Sequence, residues 1–273
     1  MCLILVAWRV HPEYPLVVAA NRDEFFARPT APAVFWNDAP QVLAGRDLEA
    51  GGTWMGVTRA GRFAALTNYR DPAQNRSGAP SRGALVTDFL LGDEAPQAYL
   101  ERIAARGSRC NGYNLLVSDG ESLWWSSNMG GKSRPLAPGV YGVSNHLLDT
   151  PWPKVGAGKT ALASALERLP YDHALFELLQ DDGIHPDEHL PQTGVPLDWE
   201  RLLSSAFVKS PDYGTRSSTV LCMGRDDSVS FDEQTWLPGA QRGMRRRYRF
   251  TMVRCGMPAS MNSGPSSTKP KRR

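Results

Sequence analysis

The chain has only four cysteines in 273 residues, Cys2, Cys110, Cys222 and Cys255, and no two have C-x-x-C spacing. That scarcity excludes a disulfide-stapled scaffold and a thiolate metal framework. No apolar run approaches the ~20 residues of a membrane-spanning helix, so no integral membrane segment is expected. The N-terminal apolar stretch is short, lacks a preceding basic region and meets Arg9, so it does not resemble a secretory signal. The formal net charge is only +3, too slight to point to nucleic acid. Two motif fragments are incomplete. Gly158-Lys159-Thr160 has the end of a phosphate loop, but Pro153 stands where that loop needs glycine. His185-Pro186-Asp187-Glu188-His189 has the spacing of an inverted zinc motif, yet Pro186 keeps both imidazoles out of a helix interior. The expectation is a cytoplasmic protein with a small-molecule substrate or ligand, no metal and no cofactor. Its oligomeric state stays open.

What is present is 41% apolar composition, enough to bury a substantial core. Leu3 to Val10 is apolar almost throughout, as in a strand covered on both faces. The prolines of His11-Pro12-Glu13-Tyr14-Pro15 force a turn, and Leu16 to Ala20 is the next strand. Trp54–Val57 with Arg62–Thr67, Tyr113–Val117 with Ser122–Ser126, and Ser217–Met223 with Ser228–Glu233 form hairpins around short turns. Val140–Ser144 and Met244–Val253 are further strands. Helices are expected over 81–91, 95–105, 155–169 and 173–180, and a polar loop over 181–198. Hairpins dominate and βαβ alternation is missing, which argues an α+β layered fold with mainly antiparallel sheets and helices outside. Residues 1–256 form one domain in this scheme, and 257–273 form a disordered basic tail. The arginines at 242, 245, 246, 247 and 249 suit a solvated edge strand.

Cys2 carries the first chemical signal. Loss of Met1 puts a thiol and a free α-amine on one residue, so nucleophile and base come together. Their reference pKa values, about 8.5 and 7.7–8.0, lie near working pH. An antiparallel hairpin centred near Glu13 pairs residue i with roughly 26 − i, which sets Cys2 beside Asn21-Arg22-Asp23-Glu24. Arginine there favours a thiolate, and a carboxylate there orients an ammonium. Other polar clusters close strands: Thr67-Asn68-Tyr69-Arg70, Ser144-Asn145, and Thr215-Arg216-Ser217. Asparagine amides stabilise oxyanions, and arginine anchors carboxylates bidentately.

Met1-Cys2, NRDE at 21–24, AGRDL at 44–48, AGGTWMG at 50–56, TNYR at 67–70, NGYNLL at 111–116, GVSNHLLDTPWPKV at 142–155 and YGTRSSTVL at 213–221 resemble the NRDE family, also called the transport and Golgi organisation 2 family. That family resembles the N-terminal nucleophile hydrolases, which implies a four-layer αββα sandwich. By resemblance to the choloylglycine hydrolase and penicillin V acylase group, Cys2 is nucleophile and base. Arg22 and Asp23 take the early Arg and Asp roles, Asn68 and Asn145 stabilise the oxyanion, and Arg216 is the late arginine. Asn21, Glu24, Arg70 and Trp54 are assigned to substrate contact. Those enzymes space their Arg and Asp three apart, whereas Arg22 and Asp23 are adjacent. Either Glu24 takes the acidic role or the chemistry differs. The implied activity is hydrolysis of an acyl amide or thioester. The alternative is a non-catalytic haem or acyl-CoA/lipid-handling protein, with Trp54, Trp124, Trp125 and Trp152 lining an apolar pocket.

Overall fold

The computed structural model describes residues 2–105, 109–170 and 173–253. The strands are β1 (Cys2–Trp8), β2 (Leu16–Phe25), β3 (Thr30–Phe35), β4 (Val42–Asp47), β5 (Met55–Thr58), β6 (Phe63–Asn68) and β7 (Tyr113–Ser118). They continue with β8 (Leu123–Ser127), β9 (Arg134–Pro135), β10 (Gly139–Val143), β11 (Tyr213–Met223), β12 (Ser228–Leu237) and β13 (Gln241–Thr251). The α-helices are α1 (Gly83–Leu91), α2 (Pro96–Ala105), α3 (Pro153–Leu166), α4 (His173–Glu177) and α5 (Leu197–Leu202). One sheet runs β10-β1-β2-β11-β12-β13 and the other β3-β4-β5-β6-β7-β8-β9, with antiparallel pairing throughout.

Side-chain alternation along β1 explains the layering. Ile4, Val6 and Trp8 point inward with Leu16, Val18 and Ala20 of β2, and pack against Val57, Phe63 and Leu116 of the other sheet. Leu3, Leu5 and Ala7 point outward under Val155 and Leu162 of α3 and Leu175 of α4. The second sheet covers its own outer face with Val86 and Phe89 of α1 and Leu100 of α2. The result is the expected αββα sandwich. It also explains why β1 is buried at every position: a strand covered on both faces needs apolar residues at both parities.

Several expectations shift in detail. The first hairpin centres on Pro12, so β1 and β2 pair with indices summing to 24, and Cys2 lies opposite Arg22. Arg9 adopts a left-handed conformation (φ 52°), and its N–H donates to Pro15 O at 2.7 Å, closing the turn early. Strands β3 and β4 escape sequence patterning. Pro32 interrupts β3, where the register with β4 shifts between Ala31 and Val34, a break that an edge strand tolerates. Gly158, from the phosphate-loop fragment, sits inside α3; a Cβ there would lie 2.8 Å from Leu5 Cδ1, so it permits close packing of helix on sheet. Lys159 pairs with Asp149 at 2.8 Å, and Asp187 of the HPDEH segment pairs with Arg201 at 2.6 Å. The late arginines lie on β13, the edge of the first sheet, where Arg249 pairs with Asp232 at 2.5 Å. The expected tail at 257–273 lies outside the described residues. Among the described residues no helix is long and apolar enough to cross a membrane.

Candidate active site

Five strand ends meet at one end of the sandwich: the start of β1, the ends of β2, β6 and β10, and the start of β11. The cleft there has a volume of about 410 Å³. Of the residues picked out by sequence, Cys2, Arg22, Asp23, Glu24, Trp54 and Asn68 line it.

Cys2 is buried and shares its parity with the inward-facing Ile4. Its carbonyl accepts from Ser144 Oγ at 2.9 Å. Burial pushes the thiol pKa up and the Asp23 charge adds to this, while the Arg22 guanidinium and the Asp23 backbone N–H pull it down. The uphill balance means that the thiol needs a base to react.

Arg22 and Glu24 share the inner face because strand side chains alternate. The Arg22 guanidinium stacks over the Trp54 ring at 4.4 Å, donates to Thr30 Oγ1 at 3.3 Å and approaches Glu24 at 3.7 Å. Glu24 is therefore the carboxylate on the face shared by Cys2 and Arg22. The Asp23 side chain turns outward, where it accepts from Thr215 Oγ1 at 2.7 Å. Burial raises its pKa, against Lys154, the Thr215 hydroxyl and Arg22, which lower it.

Four residues singled out by sequence are turned away from the cleft. Asn21, one position out of phase with Arg22, faces the helical layer. Its amide donates to Leu179 O at 2.7 Å and Ala206 O at 2.8 Å. Arg70 is buried against Glu200 at 2.7 Å and stacks over Trp152. Asn145 is fully buried, and its Nδ2 donates to Asn68 O at 2.8 Å. Arg216 is the extra residue of a bulge, since Thr215 pairs with Asp23 and Ser217 with Arg22. A bulge re-aims the side chain, and Arg216 Nη1 donates to Phe25 O at 2.7 Å and Arg28 O at 3.1 Å. In this geometry Asn145 and Arg216 hold the walls, and Asn68 is the asparagine that reaches the cleft. The tryptophans proposed to share a pocket are dispersed: Trp125 joins the inter-sheet core, Trp152 the α3 side and Trp124 the α1/α2 side.

Sequence reasoning missed two basic residues. Arg82, just before α1, lines the cleft together with Cys2. Lys154 lies buried behind Asp23, and its ammonium donates to Leu203 O at 2.7 Å. Burial lowers its pKa to about 8, against the attraction of Asp23. Lys154 stood inside the quoted GVSNHLLDTPWPKV stretch, but an isolated lysine after two prolines carries no local signal of burial.

The profile of the "Transport and Golgi organisation 2" family matches residues 1–238. The chain belongs to the transport and Golgi organisation 2 family. It is 40% identical over 261 residues to the Transport and Golgi organization protein 2 homolog of Bos taurus, covering 87% of this chain and 94% of the relative. The human homolog is 36% identical over 276 residues, covering 92% and 99%. The Drosophila melanogaster protein is 28% identical over 263 residues, covering 86% and 92%. Among solved structures, this family member is similar to a mutant conjugated bile acid hydrolase from Clostridium perfringens, with TM-score 0.46, 9% identity, and 95% and 100% of the two chains covered. It is also similar to a Caenorhabditis elegans ortholog of N-acylethanolamine-hydrolyzing acid amidase, with TM-score 0.40, 13% identity, and 81% and 92% covered.

Proposed function

We propose that this protein is an N-terminal-cysteine hydrolase acting on an acyl amide or thioester. The observation that carries this reading is that Cys2 and Asn68, from facing sheets, line one cleft beside Arg22. Removal of Met1 frees the Cys2 α-amine, which supplies the base that a buried thiol requires. The thiol proton passes to the amine, Sγ bonds to the substrate carbonyl carbon, and negative charge gathers on the carbonyl oxygen. The Asn68 amide and nearby backbone N–H groups donate to that oxygen. The C–N or C–S bond then breaks, and the ammonium returns its proton to the leaving atom. Water adds to the resulting thioester, the acid departs, and Sγ regains a proton.

Intact mass shows whether Met1 is lost. Incubation with short-chain acyl amides and thioesters is expected to leave an acyl adduct on Cys2, absent in Cys2→Ala. Retained Met1 in the native protein, or full turnover by Cys2→Ala, overturns the proposal.

A second reading, a carrier for haem or an acyl chain, draws on a cavity of about 850 Å³ at the opposite end of the sandwich, lined in part by Trp8, Leu16 and Met223. Haem titration tests it: an unchanged haem spectrum at saturating protein excludes haem.

A further inference from the structure

A guanidinium drawn out of water needs an acceptor for its charge. Within the cleft, Arg28 has Asp47 at 2.8 Å and Glu49 at 3.1 Å, and Arg22 has Glu24 at 3.7 Å. Arg82 differs. Among the described residues it has no carboxylate within ion-pair distance, and its hydrogen bond goes to a neutral acceptor, Gly112 O, at 3.2 Å. It is half-buried on the wall of the cleft that Cys2 also lines.

The position of Arg82 is built into the fold. The neighbouring Gly83 opens α1 and is pressed against Gly52, whose Cβ, if present, would lie 2.6 Å from the Gly83 carbonyl carbon. A Cβ on Gly83 would in turn meet Thr53 O at 3.1 Å. These two bare backbones let the segment carrying Arg82 close onto the strand end at Thr53 and Trp54.

We propose that Arg82 forms an anion subsite, so that the molecule taken by Cys2 carries a carboxylate or phosphate group beside its reacting carbonyl. A guanidinium offers five N–H donors in a planar fork, and Gly112 O uses Nη1, leaving donors for a bidentate contact with an anionic oxygen pair. The other two cleft arginines have carboxylates in ion-pair contact; Arg82 feels the Glu24 charge only at a distance, and its contact partner comes from the ligand. The substrate class rests on the proposed role of Cys2, but the charge preference is measurable without turnover.

Two alkylating reagents separate these ideas. Iodoacetate and iodoacetamide both transfer a carbon to sulfur with loss of iodide, and they differ in charge. Their rate ratio at Cys2, mapped by peptide mass, cancels the thiolate fraction. The expected result is a ratio that falls roughly fivefold in Arg82→Gln and is largely kept in Arg82→Lys. Calorimetry on Cys2→Ala with N-acetylglycine, N-acetylglycinamide and inorganic phosphate needs no thiol. Adding Arg82→Gln should weaken the anionic ligands about tenfold and spare the neutral amide. Whichever anion binds tighter identifies the group. An unchanged alkylation ratio together with anion binding indifferent to Arg82 overturns the subsite. A Cys2 inert to both reagents, with anion binding still dependent on Arg82, overturns the nucleophile instead and leaves the subsite standing.

Discussion

Asn145 Nδ2 donates to the Asn68 carbonyl oxygen at 2.8 Å, joining the end of β10 in one sheet to the end of β6 in the other. The tie is reciprocal, because Arg70 N donates to Asn145 O at 2.7 Å. It sets how far Asn68 stands from Cys2. Asn145→Ala leaves the half-buried Asn68 carbonyl without that donor and is expected to cost about 1 kcal/mol. Urea unfolding, with the m-value unchanged, checks this. Cys2 alkylation should persist, because the thiol does not contact Asn145.

The Arg70–Glu200 pair is buried on both sides, with side-chain exposures of 3% and 4%. Thr193 also donates to Glu200 through its backbone N–H and its hydroxyl. Removing one charge strands the other, so Arg70→Met is expected to destabilise by about 3–5 kcal/mol. The double change Arg70→Met with Glu200→Leu should cost less than Arg70→Met alone. A double-mutant cycle of unfolding free energies decides this.

Glu233 is fully buried, and burial lifts its pKa to about 6 from an ordinary 4.5. A raised acid pKa means that the folded state holds the proton more tightly. Its stabilising contribution is present below pH 4.5 and is lost as pH rises through about 6. The loss is about 2 kcal/mol. Glu233→Gln keeps an oxygen to accept from Ala33 N and does not titrate. The stability of Glu233→Gln relative to wild type should therefore rise by about 2 kcal/mol between pH 4 and pH 7. A difference that is flat with pH would refute the assignment.

Gly52 is a packing glycine, and its neighbour Gly51 is a turn glycine. An added Cβ at 52 would meet Gly83 backbone at 2.6 Å, whereas one at 51 meets nothing within 4 Å but sits at φ +78°. Gly52→Ala is expected to cost about 1–3 kcal/mol through overpacking and to shift Arg82. Gly51→Ala should cost about 1–2 kcal/mol through its backbone. Only the first should alter the iodoacetate preference of Cys2.

Much of the layering was legible in the chain. The unbroken apolar run of β1 announced burial on both faces, and the hairpin spacing announced antiparallel sheets, because periodicity is a local property of consecutive residues. The turn prolines also placed the NRDE cluster beside Cys2, since a short hairpin constrains its own ends. Tertiary structure decided which of those polar residues face the cleft. A two-residue change in register made Arg22 the partner of Cys2 without changing which side chains share its face, and the helical layer then covered the face of Asn21 and the Asp23 side chain. A single bulged residue turned Arg216 onto the β2–β3 turn. Arg70 found Glu200, 130 positions away, and Arg82 reached the cleft only because two glycines meet face to face. Sequence periodicity determines which residues form a strand and which of them share a face. Register, bulges and long-range contacts determine which face lines the cleft, and they are settled only when the two sheets pack.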